Sequence, residues 1–79
     1  MRGLTPEVIA EAQERCAALS AVERDVLIYS AKGMHAAEVG ALIGRSFRTV
    51  EKIKTGIFAT LRVETTVEAA VLAAKAGLV

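Results

Sequence analysis

Arg45, Arg48, Lys52 and Lys54 fall within one short stretch of the chain, beside the hydroxyls of Ser46, Thr49 and Thr55. Guanidinium and ammonium groups at this density bind anions, and a Ser that opens a helix adds free backbone amides suited to a phosphate. The net charge of +1 conceals an uneven distribution. Residues 1–44 hold four Lys or Arg against six Asp or Glu, while residues 45–79 hold six against three. Such asymmetry points to a polyanion on one face. Other chemistries are poorly served. The single Cys cannot close an internal disulfide, and the single His leaves no His-rich metal site. A nucleophile–base pair would need Cys16 or a Ser beside His35, and nothing orients them. No Gly-rich phosphate loop follows a strand. The expectation is a binding protein with no catalytic residues, no metal and no cofactor.

Five helices are expected to position these groups, in an all-α domain. Thr5-Pro6 opens the first, with Val8, Ile9, Ala12, Cys16 and Leu19 on its buried face and Glu11–Arg15 paired on the wet one. Ser20-(x)2-Glu23 is a capping box for a second helix that runs to about Ala31 and turns inward through Val22, Val26, Leu27 and Tyr29 or Ser30. Lys32-Gly33 stops it. A third spans roughly Ala36 to Ile43, with Val39, Leu42 and Ile43 inward and Gly40 letting a neighbouring helix approach closely. Gly44-Arg45 is a tight turn. Ser46 then caps a fourth helix, reaching about Leu61, whose inner stripe is Val50, Ile53, Ile57, Phe58 and Leu61. Arg48, Glu51, Lys52, Thr55 and Ala59 take its outer side. Thr65-(x)2-Glu68 is a further capping box and opens the fifth. His35 is a surface residue or a cap, and Cys16 a core filler.

The fifth helix is apolar around most of its circumference. Ala69, Leu72, Ala73 and Ala76 can pack on the domain, which leaves Val67, Ala70, Val71, Ala74 and Leu78 facing out. A helix apolar on most sides must be buried on most sides, and a chain of 79 residues cannot wrap it. A second subunit is the simplest cover. A hydrophobic share of 53% and a mean hydropathy of +0.42 point the same way.

The order of signals is itself informative. Leu19-Ser20-(x)2-Glu23, Lys32-Gly33, Glu38-Val39-Gly40, Ser46-(x)2-Thr49-Val50, Ile57-(x)3-Leu61 and the closing Gly77-Leu78-Val79 follow one another without a gap. Over residues 19–79 this resembles the DNA-binding domain of LuxR/GerE-type transcription regulators. Residues 1–18 would be an added N-terminal helix, too short for the sensor domain that precedes this domain in full-length members. The resemblance implies a tetra-helical helix-turn-helix domain that binds double-stranded DNA as a homodimer. The helix over 47–61 would enter the major groove, and the C-terminal helix would pair two copies. By the family pattern Thr49 would touch the backbone and Glu51, Lys52 and Thr55 would face bases. Arg45, Arg48, Lys52 and Lys54 would supply charge, and Ser46 a cap.

Glu51-Lys52-Ile53 stands where the family usually has Lys-x-His, Thr60 where a Lys is usual, and Ala37 where another Lys often stands. These departures support a second possibility, a protein-interaction module that pairs with a larger transcription regulator. Phe47, just after the cap, is either a staple packed on a neighbouring helix or an anchor for a protein partner. No run of apolar residues is long enough to cross a membrane, and no secretory start is legible. The expected location is the cytoplasm, consistent with a lone thiol.

Overall fold

Hydroxyl side chains set four of the five helix starts. In the computed structural model, which describes residues 4–79, α1 spans Pro6–Ala17, α2 Ala21–Ala31, α3 Ala36–Ile43, α4 Phe47–Leu61 and α5 Thr66–Lys75. Thr5, Ser20, Ser46 and Thr65 each accept a hydrogen bond from the amide three residues on, at 3.1–3.3 Å. Each such cap stabilises its helix by about 1 kcal/mol. Glu23 completes the capping box of α2 by accepting from the Ser20 amide at 2.9 Å. Glu68 departs from the expected box and accepts instead from the Glu64 amide at 3.2 Å. At α3 the cap comes from Glu38, whose carboxylate accepts from the His35 amide at 2.9 Å. The described residues are all helix and connection, with no strand.

The helix ends share one device. In α2, α3 and α5 the residue that ends the helix or closely follows it is a left-handed glycine, Gly33, Gly44 or Gly77. After α4 the same conformation falls to Arg62, at φ 59°. The amide of Val63 donates back to the Phe58 carbonyl at 3.0 Å, and that of Leu78 to the Ala73 carbonyl at 3.0 Å. This is the Schellman pattern, which folds the following apolar residue onto the preceding turn.

Val26 of α2, Val39 of α3, and Val50, Ile57 and Leu61 of α4 are the largest fully buried side chains. Removing each from water contributes about 1.5–3 kcal/mol. Ala69 and Ala73 bring α5 close against α2 and α1, where Ala12 and Cys16 meet it in the same core. Cys16 is buried as expected, and burial pushes its thiol pKa up from the ordinary value of 9.0, opposed by the nearby Arg24 charge.

Three expectations need correction. Val22 is exposed, because the buried arc of α2 centres on Val26, Leu27 and Ser30 and the first-turn Val22 falls at its edge. Leu42 is 58% exposed, because α3 buries Ala36, Val39 and Gly40 with Ile43 beside them, an i, i+3, i+4, i+7 arc that leaves Leu42 on the flank. Gly40 admits the turn backbone and not a helix. A Cβ there would stand 2.5 Å from the Arg45 carbonyl oxygen.

Candidate nucleic-acid interface

A three-residue link, Gly44–Ser46, joins α3 to α4. The Arg45 amide closes the end of α3 on the Gly40 carbonyl at 2.9 Å. Ser46 then starts α4: its Oγ accepts from the Thr49 amide at 3.1 Å and its hydroxyl donates to Thr49 Oγ1 at 3.0 Å. These bonds fix the first turn of α4, with Arg45, Ser46 and Arg48 exposed and Thr49 half-buried.

The buried arc of α4 decides which way each polar residue faces. Val50, Ile57 and Leu61 are buried, and Ile53 and Phe58 pack against them. Opposite that arc lie Arg48, Lys52, Thr55 and Ala59, all exposed. Their spacing of four, three and four residues stacks them in one stripe. From Arg48 to Thr55 the stripe extends about 10 Å along the axis. Neither Arg48 nor Lys52 forms an ion pair among the described residues. The Thr55 hydroxyl donates to the Glu51 carbonyl at 3.1 Å, so its methyl and its oxygen lone pairs are what it offers outward.

Glu51 and Lys54 do not join this stripe. Lys54 retains only 18% exposure of its side chain, and its Nζ lies 4.0 Å from a Glu51 carboxylate oxygen. Its position explains this, since four residues after Val50 and three before Ile57 it stands on the edge of the buried arc. With Phe47 the pair lines a shallow groove of about 430 Å³ between α4 and the α2–α3 link. His35 and Ala37 line it from α3's side and Thr66 from the start of α5. Phe47 is 57% exposed and so does not form a closed staple. No continuous sequence pattern marks this groove, because its walls come from four separate segments.

On α5, Val67 is 73% exposed and Val71 49%, with Ala74 exposed beside them and Ala70 half-buried. Leu78, expected on this outward face, packs on the core instead. The cause is the left-handed Gly77, which turns the chain back so that Leu78 covers the end of its own helix.

A contact between helices also escapes the sequence pattern. Arg15 of α1 donates from Nη2 to Glu11 at 2.7 Å and from Nη1 to the Leu61 carbonyl at 3.3 Å. A cation at the C-terminal end of α4 is favourable for the helix dipole, so α1 ties down the far end of the helix that carries the stripe.

Among the described residues no cluster of three His, Cys, Asp or Glu could hold a metal, and no helix is long and apolar enough to cross a membrane. No protein-family model, curated protein or solved structure matches the chain.

Proposed function

We propose that the chain is a sequence-specific DNA-binding transcriptional regulator of the cytoplasm, with α3, the Gly44–Ser46 link and α4 acting as a helix-turn-helix. The observation that carries this reading is the stripe Arg48–Lys52–Thr55, held on the outer side of a capped helix with its cations unpaired among the described residues. A helix of this width fits the major groove and presents residues near its N-terminus to base edges. Lys52 and Thr55 stand where base edges would be met. Arg45, Arg48 and the α4 N-terminus stand where phosphates would be met. Lys54 contributes little, being paired with Glu51. Two copies joined through α5 would place two such helices on a pseudo-palindromic site. Selection from a random pool of duplexes is the direct experiment. An enriched, two-fold-related motif that is lost with Arg48→Ala/Lys52→Ala is expected, and a pool that stays random refutes the reading.

The exposed Phe47 and Leu42 favour a second reading, a module that pairs with a larger transcription regulator. In that case the double substitution leaves partner binding intact.

A further inference from the structure

Thr55 has one hydrogen to donate, and its own helix already takes it. The hydroxyl bonds the Glu51 carbonyl, one turn back, at 3.1 Å. A helical Thr bonded in this way has its side-chain rotamer fixed by that bond. Outward it presents a methyl group and oxygen lone pairs, and no donor. The rest of the stripe differs from it on one side and resembles it on the other. Arg48 and Lys52, nearer the helix start, are exposed and carry donors only. Ala59, one turn further on, is exposed and carries only a methyl. The stripe therefore changes from cationic donors to methyl groups between Lys52 and Thr55.

The base edges of a major groove sort against this pattern. Guanine displays two acceptors, N7 and O6, which suit Lys52 and give Thr55 nothing to bond. Adenine offers a donor to the Thr55 lone pairs but sets a polar edge against the two methyls. Thymine displays a C5-methyl, the apolar partner that a Thr or Ala methyl matches. Lys52 and Thr55 stand about 4.5 Å apart along the helix axis, little more than one base-pair step of about 3.4 Å. The two residues can therefore meet neighbouring base pairs, each with its own chemistry.

We propose that Thr55 is a specificity-determining residue that reads the C5-methyl group of a pyrimidine in the major groove. Thymine carries that methyl, and so does 5-methylcytosine, whose N4 amine the Thr55 lone pairs also accept. This rests on the DNA-binding reading above and adds which base feature the middle of α4 selects.

The test uses the full chain and the duplex that selection returns. Each thymine of that duplex is replaced in turn by deoxyuridine, which removes the methyl and nothing else. Affinity is read by fluorescence anisotropy for the parent, Thr55→Ser and Thr55→Val. Thr55→Ser keeps the hydroxyl and loses the methyl, whereas Thr55→Val keeps a methyl and loses the hydroxyl. One thymine in each half-site is expected at which uracil weakens the parent about fourfold, the effect of one buried methyl. Thr55→Ser should bind the thymine and uracil duplexes alike, and Thr55→Val should keep the preference. At the same position, 5-methylcytosine binding about fourfold tighter than cytosine extends the reading to methylated cytosine. Equal affinity for those two, with the uracil effect intact, assigns it to thymine alone. A uracil effect of the same size in Thr55→Ser, or none at any thymine, overturns the proposal while DNA binding stands. A parent chain that selects no duplex overturns both.

Discussion

The Arg45 carbonyl oxygen fills the space where a side chain on Gly40 would begin, 2.5 Å from the Cβ position. The same two residues are joined by a hydrogen bond from the Arg45 amide to the Gly40 carbonyl, 2.9 Å long. Together they fix the link that aims α4. Gly40→Ala should raise helix propensity by about 1 kcal/mol, yet it forces the link to move. The clash should dominate, with a net loss of about 1–3 kcal/mol in urea unfolding. A Gly40→Ala variant as stable as the parent would show that the turn is loose.

Arg62 holds the left-handed position that glycine holds at the ends of α2, α3 and α5. A side chain there costs roughly 1–2 kcal/mol, part of which Gly returns to the unfolded chain as entropy. Arg62→Gly should therefore stabilise the protein by about 0.5–1 kcal/mol, visible as a higher melting temperature. A lower melting temperature would mean that the Arg62 side chain makes contacts worth more than its strain.

Much of this fold is legible in the sequence because helix starts and stops are local. Thr5-Pro6, Ser20 with Glu23, Ser46 and Thr65 each mark a boundary by a hydrogen bond within four residues, and each helix begins there. Local signals do not fix which way a side chain faces where it stands at the edge of a buried arc. Leu42 is apolar, which favours an inward place, but the arc of α3 passes beside it. Lys54 is charged and groups by type with the outward cations, although its spacing from Val50 and Ile57 puts it at the core edge. Leu78 faces out only if the helical repeat is extended past Gly77, where the chain reverses. The groove and the Arg15–Leu61 contact join residues far apart in sequence, and only the packed helices bring them together.

Ser30 is buried, and its hydroxyl has no hydrogen-bond partner among the described residues. An unsatisfied buried hydroxyl costs about 1–3 kcal/mol, and Ala is the better helix former. Ser30→Ala should stabilise the domain by about 0.5–1.5 kcal/mol in chemical denaturation. A clear loss would reveal a partner for that hydroxyl.

Cys16 gives a pH signature. Its thiol pKa is raised in the folded protein by burial. The folded state therefore keeps its proton where the unfolded chain has lost it, so this contribution is full below the unfolded pKa and is lost as pH rises through the folded one. Unfolding titrations should show stability declining above about pH 9, and Cys16→Ala should flatten that decline while lowering stability at about pH 7. Equal slopes in parent and variant would assign the decline to other groups. Native alkylation of the thiol should be slow and should accelerate sharply in denaturant.

The most direct test of the central claim is the salt dependence of duplex binding for the parent chain and for Arg48→Ala/Lys52→Ala. If the outer stripe of α4 meets DNA, affinity for the selected site should fall steeply with salt. The slope in log affinity against log salt should then shrink in the variant by about one, at roughly 0.9 for the Arg48 phosphate contact removed, while the loss of Lys52 lowers affinity for the selected site. Identical slopes and affinities for the two proteins, or no binding by the parent at low salt, would contradict the account.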